Sequence, residues 1–261
     1  LPETLDAAGS GYAHACIGKW HVHDATHGDD APRTLGGYAH FAGSLEGQIP
    51  SYTQWTRVVD GVAATTTRAT PGQALPPGVV FMSQVHGADV VPVDIVRRSE
   101  AALEADAMTG RRAGDVCAVR TADCLPVLFC ARDASEIAAA QAGWRGLAAG
   151  VLENTVRALE TRPEQLLAWI GPAISQPNFE VGDEVRQAFI AGDPAASGAF
   201  VANARGRWQA DLGALARQRL ARAGVHDVYG GQWCTFGDAE RFHSYRRDPD
   251  CGRLVSFILL K

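Results

Sequence analysis

The sequence predicts a single α+β domain, a mixed β-sheet core with flanking helices, over residues 49–261. Three observations predict it. Short runs rich in Val, Ile and Leu, bounded by turn residues, recur from about residue 55 and read as strands. Three longer stretches carry a helical period. The strands come in groups before a helix appears, which favours α+β packing over a strict βαβ repeat.

Taken in order, the β-branched run Gly61–Thr67 predicts the first strand, and Ala69–Gly78, with three prolines and two glycines, a loop. Strands follow at Val79–Val85, Val90–Val93, Val116–Thr121, Leu125–Cys130 and Glu136–Ala140. A helix is expected over Gly146–Leu159, then a strand at Leu166–Ile170 and a helix at Gly182–Ile190. The helix Ala210–Ala223 has Asp211 near its start, a favourable N-terminal charge, and Gly224 as its stop. Leu254–Leu260 closes the set as a strand. Residues 1–48 form an atypical N-terminal segment: they hold five of the eight histidines, much Gly and Ala, and no sustained apolar period.

Composition bounds the function classes. With 261 residues, 46% hydrophobic and 20% charged, the chain has the make-up of a globular protein with a buried core. A net charge of −5 argues against a polyanionic partner such as nucleic acid. No apolar run approaches the roughly 20 residues of a membrane helix, and Leu1-Pro-Glu-Thr lacks the features of a secretory signal. Six cysteines are too sparse for a disulfide scaffold, so a reducing cytoplasm is expected.

Candidate chemistry gathers at three places. His86 stands in Ser83-Gln-Val-His-Gly at the end of an apolar run. Cys124 stands 38 positions later in Thr121-Ala-Asp-Cys-Leu-Pro. Position 141, 17 beyond the cysteine, is Gln141, ahead of Ala142-Gly-Trp-Arg145-Gly. Imidazole and thiolate are the donors zinc favours. By spacing alone, a single His and a single Cys this far apart are more often unrelated residues. Pro126 stiffens the backbone beyond the thiol, and Gly87 and Gly143 permit close approach. Arg145 can hold phosphate or pair with a buried acid. Asp123 can orient a ligand, act as acid or base, or cap a turn. Arg246 and Arg247 are anion candidates, with solvated loop charges as the alternative. Trp144 and Phe179 read as core. His21-Val-His23 is a candidate accessory metal pair in a segment read mainly as flexible and polar.

Six ordered motifs carry a family resemblance: Gln84-Val-His86-Gly, Thr121-Ala-Asp-Cys124-Leu-Pro-Val-Leu-Phe, Ala142-Gly-Trp-Arg145-Gly-Leu-Ala-Ala-Gly-Val-Leu, Trp169-Ile-Gly-Pro-Ala-Ile, Phe179-Glu-Val-Gly and Ser244-Tyr-Arg-Arg-Asp. From about residue 55 onward the chain resembles the laccase-domain family, also called the polyphenol oxidase, peptidoglycan-editing-factor or purine nucleoside phosphorylase family. The resemblance implies a single domain of the laccase-domain, cytotoxic-necrotizing-factor-like fold. It implies a zinc site made by His86, Cys124 and residue 141. It also implies phosphorolysis of adenosine, inosine or guanosine, with purine nucleoside and phosphate as partners, and deamination of adenosine. Cys124, His86, Asp123 and Arg145 are its catalytic candidates, and Arg68, Arg145 and Arg246 its substrate-binding candidates.

Two departures stand out. The family has histidine where this chain has Gln141, whose neutral amide oxygen is a hard, weak donor, so zinc affinity and turnover are expected to fall. The family also has a longer segment between the strand ending in Thr-Arg68 and Gln84-Val-His86. Three other functions remain open at this point. Copper polyphenol oxidation would need more imidazoles than His86, His226 and His243 supply outside residues 1–48. A cysteine-based hydrolase, including one editing peptidoglycan precursors, would use Cys124 as nucleophile and His86 as base. A metal-poor nucleoside-binding protein would keep the pocket without turnover.

Overall fold

The computed structural model describes residues 54–59, 62–68 and 75–260, with side chains described from Leu75 onward. The segment 1–48, with His21 and His23, lies outside the described residues. Among the described residues three sheets form. Strands β1 (Gln54–Val59), β2 (Val62–Arg68), β5 (Val116–Thr121) and β13 (Leu254–Leu260) make an antiparallel sheet in the order β1-β2-β13-β5.

A mixed six-stranded sheet runs β12 (Asp227–Gly230), β8 (Leu166–Ile170), β6 (Leu125–Ala131), β7 (Ile137–Ala142), β4 (Ala107–Gly110), β3 (Val90–Pro92). Its outer pairs are parallel and its inner ladders antiparallel. A small sheet orders β10 (Phe200–Ala202), β11 (Trp208–Ala210) and β9 (Glu180–Val181). The helices are α1 (Val93–Arg98), α2 (Trp144–Ala149), α3 (Val151–Ala158), α4 (Asp183–Ile190) and α5 (Leu212–Arg222). No helix among the described residues is long and apolar enough to cross a membrane.

Strand β7 explains how the layers meet. All six of its residues, Ile-Ala-Ala-Ala-Gln-Ala, are buried. Strand alternation sends Ala138, Ala140 and Ala142 into a core with Phe129, Leu147, Leu152, Phe189 and Leu215 under the helices. Ile137 and Ala139 face the other way, into a core with Met108, Cys117, Val119, Leu128 and Ile258 shared with the antiparallel sheet. Alanines let the backbone lie close to both layers, while larger neighbours such as Phe129 and Leu152 each contribute roughly 1.5–3 kcal/mol of burial.

The α+β class and most expected elements hold, with three differences. The expected strand Val79–Val85 makes only an isolated bridge, Ser83 with Glu104. Val93, expected to end a strand, instead begins α1, because Pro92 at the N-cap supplies an extended residue whose missing N–H costs the helix nothing. The expected helix Gly146–Leu159 is two helices, broken at Gly150, whose φ of 93° is left-handed. Helix α5 matches its signals: Asp211 accepts the N–H of Ala214 at 2.8 Å, and Gly224 follows at φ 88°.

Candidate active site

Three of the singled-out side chains meet over one glycine. A Cβ built on Gly143 would lie 2.8 Å from Cys124 Sγ, 3.0 Å from Gln141 Nε2 and 3.2 Å from His86 Cδ2. These residues come from three separate segments, and only a residue without a side chain fits between them. Gly146, one turn into α2, is equally tight: its Cβ would come within 2.6 Å of the Gly87 carbonyl oxygen. Helix α2 therefore packs flush against the loop that carries His86.

His86 stands in a loop rather than at a strand end, with a left-handed φ of 62°. The fully buried Asp106 holds it there. Its carboxylate accepts the backbone N–H groups of Val85 at 3.2 Å, His86 at 2.9 Å and Gly87 at 2.6 Å. Three N–H donors on one carboxylate offset the cost of turning a non-glycine residue through positive φ. The Asp106 carbonyl in turn accepts the N–H of Gln141 at 2.7 Å. Asp106 thus joins the His86 loop to β7, and the sequence reading missed it. Its only signal was an acid, Glu104-Ala-Asp106-Ala, at the mouth of an apolar strand.

Cys124 ends the tight turn from β5 into β6. Asp123, the residue before it, has a φ of 85° and its own set of partners. Thr235 Oγ1 donates to Asp123 Oδ1 at 2.6 Å, the Arg246 N–H donates to Oδ2 at 2.7 Å, and the Ile174 N–H donates to its carbonyl at 3.0 Å. Asp123 is therefore a buried junction of three chain segments beside the thiol. Burial pushes the Cys124 thiol up to about 11. The hydrogen bond from the Gln141 amide works against that rise, and the Asp123 and Asp106 charges add to it.

Gln141 lies inside β7, opposite Pro126, and is 1% exposed. Its Nε2 is turned to the Cys124 sulfur, and its Oε1 is buried without a hydrogen-bond partner. A catalytic zinc takes three protein ligands and keeps a fourth position open. This centre offers an imidazole and a thiol, with a neutral amide in the third place. Among the described residues no group of three or more His, Cys, Asp or Glu gathers as a metal site. The donor set does not fit a three-ligand zinc.

The arginines divide. Arg145 is exposed and lies 4.5 Å over the Trp144 ring, two residues beyond Gly143. Arg246 is exposed, is held through its backbone by Asp123, reaches the Glu180 carbonyl at 3.2 Å and lies over Phe179 at 5.5 Å. Arg247 differs from expectation. Its guanidinium donates to the carbonyls of Thr235 and Phe236 at 2.8 Å and of Phe242 at 2.6 Å, so its donors serve the C-terminal loop and not an anion. Arg68 ends β2, paired with Leu254. Phe179 is core, as expected, and Trp144 packs half-buried against the same cluster.

The sequence profile of the family described as multi-copper polyphenol oxidoreductase laccase matches residues 59–261. The chain belongs to this family. Several relatives are named purine nucleoside phosphorylase, among them two described next. YfiH of Escherichia coli strain K12 is 53% identical over 186 residues, which cover 71% of this chain and 75% of that protein. PA4543 of Pseudomonas aeruginosa is 50% identical over 182 residues, which cover 69% of this chain and 74% of that protein. Among solved structures, Neisseria meningitidis protein NMB0706 superposes with a TM-score of 0.74 at 37% identity, covering 80% of this chain and 99% of that one. The laccase family that the six motifs implied is the family found, and its fold is the one described above.

Proposed function

We propose that this chain is a purine nucleoside phosphorylase acting on adenosine, inosine or guanosine with inorganic phosphate. The observation that carries the reading is the convergence of His86, Cys124 and Gln141 over Gly143, in a chain that matches phosphorylase-named relatives at about half identity. In phosphorolysis a phosphate oxygen bonds to the anomeric carbon as the glycosidic bond breaks through an oxocarbenium-like state. Arg145, Arg246 and Arg68 are the proposed phosphate and substrate contacts, since guanidinium forks match phosphate geometry. Supporting this, Arg145 and Arg246 are exposed and stand within two residues or one hydrogen bond of the central groups. Asp123 is proposed to orient the thiol-bearing turn and the Arg246 segment together.

The zinc and the adenosine deaminase activity that the family resemblance implies rest on a third ligand that Gln141 does not supply, so no step here is routed through a metal. A cysteine-nucleophile mechanism has less support, because burial keeps the Cys124 thiol protonated near neutral pH. A reducing, cytoplasmic setting for a domain of residues 49–261 is proposed on the sparse cysteines of the sequence.

The test is release of hypoxanthine from inosine by the purified chain with and without phosphate. Phosphate-dependent release with stoichiometric ribose-1-phosphate is the expected result. Binding of inosine with no turnover under any phosphate concentration would make the chain a nucleoside-binding protein instead.

A further inference from the structure

We infer that Gln141 makes this centre metal-independent and splits the two purine reactions, leaving phosphorolysis and removing adenosine deamination. The inference rests on the phosphorylase reading above and assigns Gln141 as the residue that decides which reaction the pocket supports. Its ground is the disagreement between the donor set and a catalytic zinc.

The third ligand place is filled by the Gln141 side chain. Gln141 is 1% exposed, its backbone N–H is tied to the Asp106 carbonyl at 2.7 Å, and its amide lies against the Cys124 sulfur over Gly143. With its N–H turned to that sulfur, the amide presents no lone pair of position 141 to an ion held by Cys124 and His86. Turned the other way, the amide offers one neutral, hard oxygen, a poor partner for an ion that favours imidazole and thiolate. Nor can a nearby carboxylate substitute. Asp106 is taken by three backbone N–H groups. Asp123 is taken by Thr235 and the Arg246 N–H.

The two reactions make different demands on such a centre. In phosphorolysis a phosphate oxygen bonds to C1′ while the C1′–N9 bond breaks. The bond pair leaves with the purine, which takes up one proton, and the products are ribose-1-phosphate and free base. Phosphate arrives already anionic, so no group must generate a nucleophile. In deamination the oxygen of water bonds to C6, the C6–N bond breaks, and ammonia leaves carrying a proton from that water, giving inosine. Water is a poor nucleophile until its pKa is brought from about 15.7 toward about 7, the service a three-ligand zinc supplies. The amide of Gln141 cannot supply it.

The test compares the native chain, Gln141→His and the near-isosteric Gln141→Glu, which keeps the side-chain shape if an imidazole is not accommodated in β7. Each is purified with zinc present and measured for zinc content, for the zinc-dependent shift in Tm, for phosphorolysis of inosine with and without a chelator, and for ammonia release from adenosine. The native chain is expected to hold well under about one zinc per chain. It should show no zinc-dependent rise in Tm, phosphorolyse inosine equally with the chelator, and deaminate at least about 100-fold more slowly than it phosphorolyses. At least one variant should take up about one zinc, melt higher with it and release ammonia. Stoichiometric zinc in the native chain, or ammonia release matching the zinc-loaded variants, overturns the inference. If no form phosphorolyses inosine, the phosphorylase reading falls and the split with it, while zinc content and Tm still decide whether Gln141 excludes the metal.

Discussion

The Asp106 carboxylate accepts the His86 backbone N–H at 2.9 Å, as one of three consecutive N–H groups that it binds. It therefore fixes where the imidazole stands without touching the ring through those bonds. Replacing Asp106 with Asn keeps the volume but removes the charge and puts an NH₂ against an N–H donor. Turnover of inosine is expected to fall about 10- to 100-fold, the cost typical of losing a group that orients a site residue. Melting temperature should fall as well, since a buried donor is left unpaired. Unchanged turnover in Asp106→Asn would separate the His86 loop from catalysis.

Gly143→Ala probes the centre directly. The new methyl would stand 2.8 Å from Cys124 Sγ and 3.0 Å from Gln141 Nε2, so one of the two must shift by several tenths of an ångström. Displacement on this scale at a reacting centre costs about 100-fold in rate. Steady-state kinetics of Gly143→Ala beside its far-ultraviolet dichroism tests this. A folded variant with native kinetics would place the reaction elsewhere.

The cysteines should differ sharply in reactivity. Burial raises the Cys117 and Cys124 thiols. At Cys234 burial acts in the same direction but is outweighed by hydrogen bonding from the Ser175 side chain, the Ser175 N–H at 3.4 Å, the Gly237 N–H at 3.3 Å and the Asn178 amide at 3.3 Å, which bring it below its ordinary value. Iodoacetamide at about pH 8 should therefore label Cys234 before Cys124 or Cys117, followed by peptide mass spectrometry. Early labelling of Cys124 would contradict this order.

Glu136 sets an acid limit on stability. Its carboxylate is 2% exposed, and burial alone would raise it. Hydrogen bonding from the Thr161 side chain, the N–H groups of Thr161 at 2.5 Å and Glu160 at 3.1 Å, and Arg111 Nε at 3.0 Å outweigh burial and hold it below the ordinary glutamate range. A depressed folded value means the unfolded chain binds more protons. The contribution is thus complete above the ordinary glutamate value and is lost as pH falls through the folded one. Glu136→Gln should cost about 2–3 kcal/mol near neutral pH. The gap between the two proteins in urea unfolding should narrow on acidification, and a pH-independent gap would contradict the assignment.

That His86, Cys124 and Gln141 come together over Gly143 was expected from the family resemblance of the ordered motifs rather than from spacing, although each residue also has a local signature. His86 before Gly87, Cys124 before Leu125-Pro126 and Gln141 before Ala142-Gly143 each mark a junction where a run of apolar residues meets a backbone that must turn. Asp106 and Thr235 were not legible, because each acts through a hydrogen bond across a long stretch of chain, to His86 and to Asp123, and neither has a local pattern. Arg247 looked like an anion contact beside Arg246. Which of two adjacent arginines faces solvent and which caps carbonyls depends on the fold of the C-terminal loop around them.

The same division runs through the fold. Short apolar runs and turn residues determined β3, β6, β7 and β8 of the six-stranded sheet, though not β4 or β12, together with the capping of α5 by Asp211 and the α+β class, since these follow from residue type and backbone preference within a few residues. Tertiary packing decided the rest. It left Val79–Val85 without a ladder, because pairing needs a partner edge that local sequence does not reveal. It split the long helix at Gly150, and it buried β7 on both faces so that Gln141 is carried to Cys124. The sequence alone determined that Gln141 is present. Only the packed structure decided that Gln141, its backbone N–H held by the Asp106 carbonyl, sets its side-chain amide beside Cys124 over Gly143.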